Sequence, residues 1–150
     1  MSTEEATSRF VYSIYIRTTP EKLWGALTQT EFTRQYWWKI SQECAWEPGA
    51  PWKILFEDGR VADSGEVLEI DPPRRLVLKW RNEFKPELAE EGDSRMTYLL
   101  EPEGSNVKLT VTHEMDRPKS KLIAAVSNGW PEILSSLKSL LETGTALEST

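Results

Sequence analysis

The feature that most constrains the fold lies near the C-terminal end of the chain. Leu122, Ile123, Val126, Trp130, Ile133, Leu134, Leu137, Leu140 and Leu141 recur at steps of three and four, the spacing that stacks side chains on one face of an α-helix. A helix of that length with one unbroken apolar stripe must lie across a broad apolar surface. Pro131 falls inside the stripe, where it removes a backbone donor and crowds the carbonyl of Ser127. The apolar phase continues across it, so the spacing predicts one kinked helix, stopped at Gly144 with a frayed tail over 144–150.

The remaining pattern indicates what that surface is. From Phe10, the residues Phe10, Tyr12, Ile14 and Ile16 alternate with Val11, Ser13, Tyr15 and Arg17. This is a strand with one buried face, and residues 1–9 ahead of it read as a disordered tail. Thr18-Thr19-Pro20-Glu21 opens a helix in either of two ways: Thr18 and Glu21 have capping-box spacing, and Thr19 precedes a proline suited to the first helical position. That helix turns Leu23, Trp24 and Leu27 inward and ends near Thr28, after which Thr30 can cap a second one carrying Phe32, Tyr36 and Trp37. Between 40 and 113 the signal becomes short strands at 40–46, 52–56, 61–70 and 75–80, one marked by Met96, Tyr98 and Leu100, and one by Val107, Leu109, Val111 and His113. Asp58-Gly59 is a hairpin signature, and evenly spaced hairpins imply an antiparallel meander. The acidic stretch 83–93 reads as a loop. The order predicts an α+β fold in which a curved sheet wraps the last helix, and any shortfall in filling leaves a cavity between them.

Composition removes several classes of function. The chain has 150 residues and a net charge of −6, which argues against an extended nucleic-acid or anionic-membrane footprint. Cys44 is the only cysteine and His113 the only histidine, so disulfides within the chain, Cys-rich zinc sites and two-histidine mechanisms drop out, and no metal or cofactor is expected. No apolar run approaches the roughly 20 residues of a membrane span, and the polar start lacks a signal-peptide core, so a cytoplasmic location is expected. The unusual abundance is tryptophan, at 7 residues, a supply of large, rigid apolar surface.

Four motifs carry a resemblance. Thr19-Pro20-Glu21-Lys22-Leu23-Trp24 with Ala26-Leu27-Thr28, residues 32–38, Gly65-Glu66-Val67-Leu68-Glu69-Ile70 with Pro73-Arg74-Arg75-Leu76, and Gly129-Trp130-Pro131 with Leu134, Leu137 and Lys138 together resemble the START-like (SRPBCC) helix-grip superfamily. More narrowly, they resemble the branch related to the C-terminal domain of the activator of heat-shock-protein-90 ATPase. The resemblance implies a single helix-grip domain over 10–143. Its antiparallel sheet of about seven strands would grip the C-terminal helix, with two short helices after the first strand and a ligand cavity between sheet and helix. It also implies three kinds of function: a carrier of hydrophobic small molecules, a cyclase- or aromatase-type enzyme, or a co-chaperone-like interaction protein in a stress response. The co-chaperone of that branch has a separate N-terminal domain, for which about nine residues ahead of the first strand leave no room.

By parity and stripe position the candidate cavity-lining residues are Trp52, Phe56, Trp80, Met96, Tyr98, His113, Trp130 and Leu134; taken singly, each also fits a plain core position. The favoured ligand is a hydrophobic or aromatic small molecule. An enzyme would use His113 or Tyr98 to handle a proton. Within 83–93, Phe84 and Leu88 could close over the cavity as a lid. Arg74, Arg75 and Arg81 are candidate contacts for an anionic group. A protein partner, such as a chaperone, would meet Tyr36, Trp37 and Trp38, because adjacent Trp37 and Trp38 cannot both face inward. A homodimer through a sheet edge or this aromatic surface is a further expectation.

Overall fold

The computed structural model describes residues 6–148, and in it the alternating segments become strands β1 (Ser8–Ile16), β2 (Ser41–Cys44), β3 (Pro51–Leu55), β4 (Val61–Asp71), β5 (Arg75–Asn82), β6 (Ser94–Glu103) and β7 (Asn106–Met115). The helices are α1 (Pro20–Thr28), α2 (Thr30–Tyr36), α3 (Pro86–Ala89) and α4 (Lys121–Thr143). All seven strands form one antiparallel sheet in the order β1-β7-β6-β5-β4-β3-β2. β1 and β2 therefore sit at opposite edges, and α1 with α2 carries the chain from one edge to the other. The result is the α+β helix-grip architecture expected from the element order.

Local chemistry explains the boundaries. Thr19, not Thr18, caps α1: its hydroxyl accepts from the Lys22 N–H at 3.2 Å, with Pro20 at the first helical position. α1 buries Leu23, Ala26 and Leu27, while Trp24 is only partly covered. Thr30 does not cap α2. Its hydroxyl instead donates to the Gln42 carbonyl and accepts from the Gln42 N–H, both at 3.0 Å, tying α2 to β2. α4 is one helix across Pro131, with Ser120 as its N-cap and Gly144 at φ 86° closing it.

Three expectations need correcting. Ser8 and Arg9 belong to β1, because both continue its ladder with β7 opposite Met115 and Glu114; residues 1–5 of the expected disordered tail lie outside the described residues. The acidic stretch is not all loop, since Pro86 starts the short helix α3 within it. The segment after Gly144 is docked through Leu147. The Leu147 N–H donates to Ser136 Oγ at 3.2 Å, and the Leu147 carbonyl accepts from Trp38 Nε1 at 2.8 Å.

The core lies between α4 and one face of the sheet. Trp52 on β3, Gly65 on β4 and Trp80 on β5 are register partners across three strands. With no side chain on the middle strand, the two indoles close to 4.6 Å between ring centroids. Gly65 is also forced by the backbone, because a Cβ there would lie 1.7 Å from the Lys79 carbonyl oxygen. Trp130 of α4 meets this layer, 5.8 Å from Trp80 and 5.9 Å from Tyr98 between centroids.

Candidate functional site

Where the sheet and α4 diverge, a cavity of about 270 Å³ remains. Its floor is Ile54 of β3, Ala62 and Asp63 of β4, and Trp80 and Asn82 of β5. Its roof is the N-terminal half of α4, through Leu122, Ala125, Val126, Gly129, Trp130 and Ile133. Trp37 and Ile40 close one side after α2, and Phe56, Phe84, Lys85 and Leu88 close the other. A wider depression of about 520 Å³ lies on the sheet face away from α4. Arg9, Arg75 and Arg95 there are matched by Asp93, Glu114 and Asp116, so it is a charge-balanced polar surface and not an apolar binding site.

Aromatic rings dominate the inner cavity. Trp37 stacks on Trp80 at 6.3 Å and tilts against Trp130 at 5.8 Å, and Phe56 meets Phe84 edge-on at 5.1 Å. Gly129 stands out on the helix side. A Cβ there would meet nothing within 4 Å, although glycine inside a helix costs roughly 1 kcal/mol relative to alanine. Nothing in the packing requires the missing side chain, and its absence leaves room.

The segment over the mouth is fastened at both ends. Asn82 Oδ1 accepts from the Lys85 N–H at 2.9 Å. At the far end, the Glu91 carboxylate accepts from Ser120 Oγ at 2.6 Å, from the Lys121 N–H at 2.9 Å and from the Leu122 N–H at 3.1 Å. An anion on a helix N-terminus is favourable. Burial pushes the Glu91 carboxyl up, but these donors and Arg117 outweigh it and hold the group below the ordinary carboxylate range. Phe84 and Leu88, anticipated as lid residues, are thereby held at the cavity wall.

The eight residues singled out from the sequence divide into two layers. Phe56, Trp80 and Trp130 line the cavity. Trp52, Met96, Tyr98, His113 and Leu134 do not: each is buried in the packed layer behind it. Parity places Trp52, Met96, Tyr98 and His113 on the inner face, and the helical stripe places Leu134 there. However, α4 packs most closely on β1 and β7, with Trp130 reaching Tyr98 of β6, while Trp52 is taken up against Trp80 and Gln42. His113 is fully enclosed. Trp130 Nε1–H donates to His113 Nδ1 at 3.2 Å, so the ring's proton sits on Nε2, which donates to Ser94 Oγ at 2.8 Å; that hydroxyl donates to the Trp80 carbonyl at 2.9 Å. Burial drives the His113 pKa down to about 3, and with both nitrogens engaged the ring is a structural strut. Burial likewise raises Tyr98, which does not reach the cavity.

The surface expected for a partner is also rearranged. Tyr36 is buried, its hydroxyl donating to the Ala26 carbonyl at 2.9 Å; Trp37 turns into the cavity and Trp38 lies against Leu147. Among the three, none forms a free aromatic patch. Arg74, Arg75 and Arg81 pair with Asp71, Glu69 and Glu83 at 2.8, 3.0 and 2.7 Å and stay outside the cavity.

Sequence reasoning missed Asp63. It is buried, and its Oδ1 accepts from Trp80 Nε1 at 3.0 Å and from Asn82 Nδ2 at 3.3 Å. Burial raises its pKa to about 7, against the pull of those two bonds, with the charge of Glu83 adding to the rise. The available signal was its alternation with Gly65 and Val67 in a strand, which places a carboxyl on the apolar face.

A family model described as Activator of Hsp90 ATPase homolog 1-like protein matches residues 17–142. The chain belongs to that family. No curated protein sequence matches the chain. Among solved structures, protein MLL2253 from Mesorhizobium loti superposes with a TM-score of 0.76 at 26% identity, over 90% of this chain and 97% of the other. An HSP90 activator from Plasmodium falciparum, PFC0360w, gives 0.72 at 21% over 89% and 95%. The Aha1 dimer from Colwellia psychrerythraea gives 0.73 at 21% over 91% and 98%. The last two likenesses establish the family's fold and nothing finer. No helix among the described residues is long and apolar enough to cross a membrane.

Proposed function

We propose that this member of the Activator of Hsp90 ATPase homolog 1-like family binds a small, hydrophobic aromatic molecule between β3 to β5 and α4. The observation that carries the reading is the cavity of about 270 Å³, walled by Trp37, Trp80, Trp130, Phe56 and Phe84 and left open above Gly129. A mostly apolar wall with few polar groups is the usual make-up of a small-molecule site, and at about 270 Å³ this one lies just below the roughly 300–1,000 Å³ range. Room for about two fused rings suits it better than a lipid chain. Burial at about 25 cal/mol per Å² of apolar surface supplies the affinity.

The test is native mass spectrometry of the freshly isolated protein beside its denatured mass, followed by tryptophan-fluorescence titration with naphthalene derivatives. Binding that disappears in Gly129→Phe, whose ring would occupy the open space, supports the reading. Equal binding by a folded Gly129→Phe protein, or none by the wild type, overturns it. The family description supports a second reading, contact with an Hsp90-type chaperone; a complex on size-exclusion chromatography with a changed ATPase rate would favour that one. An enzyme built on His113 or Tyr98 finds no support in the geometry, since neither side chain reaches the cavity.

A further inference from the structure

Among the described residues only two formally charged side chains line the cavity, Asp63 and Lys85, and they are held very differently. Lys85 is exposed, with Nζ lying 5.7 Å from the Phe84 ring centroid. Asp63 is fixed through Oδ1 by the Trp80 and Asn82 donors. Its other oxygen has no donor among the described residues. No sealed-off side-chain oxygen or nitrogen lacks a partner among those residues, so Oδ2 is not enclosed in protein and opens on the cavity. One bare carboxylate oxygen therefore faces a space walled by indole and phenyl rings.

That combination favours positive charge. Aromatic faces attract cations, and a carboxylate bonds a charged donor about twice as strongly as a neutral one. An anionic ligand would be repelled by Asp63, and a neutral hydrocarbon would leave Oδ2 desolvated without a partner. We propose that the cavity selects aromatic ammonium compounds, whose rings lie among the tryptophans while the protonated nitrogen donates to Asp63 Oδ2. The proposal rests on the small-molecule reading above and names the class of ligand.

The charged neighbours set its pH dependence. Glu83, next to Asn82, raises the Asp63 pKa; Lys85 faces the same space; the residues facing it from α4 and β3, among them Leu122, Val126, Ile133 and Ile54, do not titrate. With Asp63 half-protonated at about pH 7, a bound ammonium group must displace that proton. Amine affinity then falls about 100-fold between pH 8 and pH 5, while a neutral isostere is indifferent.

The experiment titrates the full chain with naphthylmethylamine and with naphthalenemethanol, by fluorescence and calorimetry, at pH 5 and pH 8. The expected result is amine binding at least about tenfold tighter than the alcohol at pH 8, with that preference lost or reversed at pH 5. Asp63→Asn should abolish the preference and leave alcohol binding intact. Lys85→Gln, which removes the cationic side chain at the cavity wall, should tighten amine binding alone. Alcohol binding equal to or tighter than amine binding at pH 8 overturns the ammonium proposal and leaves the small-molecule reading standing. Unaltered amine preference in Asp63→Asn also overturns it. If neither compound binds, both readings fall.

Discussion

Replacing Asp63 by Asn should change the pH dependence of stability strongly. The asparagine keeps an oxygen for the Trp80 and Asn82 donors and removes the ionisation. In the folded chain the Asp63 carboxyl keeps its proton up to about pH 7, whereas the unfolded chain gives it up near 3.8. The gap is roughly 3 pH steps at about 1.4 kcal/mol each, or roughly 4 kcal/mol. Because the folded value is the higher one, the stabilisation is complete below pH 3.8 and is lost as pH rises to about 7. His113 works in the opposite direction: folded it titrates at about 3 and unfolded at 6.5, so its contribution is complete above pH 6.5 and is lost as pH falls towards 3. Between about pH 4 and 6.5 the folded protein holds one proton on Asp63 and the unfolded chain holds one on His113. The proton counts match, the two slopes cancel, and the wild type should be nearly flat there with respect to this pair. Asp63→Asn removes one slope and uncovers the other. Urea unfolding followed by tryptophan fluorescence at pH 4, 5, 6, 7 and 8 measures this directly. The stability of the variant minus that of the wild type should climb by roughly 4 kcal/mol across the series. A difference that stays constant within about 1 kcal/mol would show that Asp63 ionises normally, and the account of the buried carboxyl would be wrong.

Two further substitutions test the fold around the site. Gly65→Ala drives a Cβ to 1.7 Å from the Lys79 carbonyl oxygen, a clash with backbone that a side-chain rotation cannot relieve. It should cost about 3 kcal/mol or more, read as a lowered urea midpoint, and a neutral result would refute the close approach of β4 to β5. Glu91→Ala removes the three donor contacts at the start of α4. It should cost about 1–2 kcal/mol at pH 7 and weaken ligand uptake by loosening Phe84 and Leu88. Since the folded Glu91 pKa lies below the ordinary 4.5, that stabilisation is present above 4.5 and is lost on acidification, so the variant and wild type should converge at low pH.

The architecture was legible because its principal elements announce their period: two in β1, β5 and β7, three to four in α4, which holds its apolar phase across Pro131; the four-residue α3 is too short to do so. Boundaries were less legible where a tertiary contact decides. Thr30 looks like a cap in isolation and is diverted to Gln42 of β2, a partner that only the folded chain brings near. The tail past Gly144 reads as loose until Leu147 meets Trp38 and Ser136.

The site was half legible, for a physical reason. Parity tells which face of the sheet a residue joins, and seven of the eight chosen residues are buried, with Phe56 partly so. Parity does not tell where along that face the helix lifts away. Trp130 meets Trp80, Tyr98 and His113 at once, so the sheet is filled behind Trp130 and open only beyond it, toward β3. Met96, Tyr98, His113 and Leu134 fall on the filled side, and Phe56, Trp80 and Trp130 on the edge of the open one. Trp52, though on β3, is packed against Trp80 and bonded to Gln42 and lines no part of the cavity. The polar residue that gives the cavity its chemistry was passed over because a lone aspartate in a strand ordinarily faces water. The indole N–H of Trp80 and the side-chain amide of Asn82, both supplied from the next strand, make position 63 tolerable for a carboxyl. Those bonds fix Oδ1, so the tryptophan that builds the cavity wall also holds the carboxyl that the proposed ammonium ligand would meet.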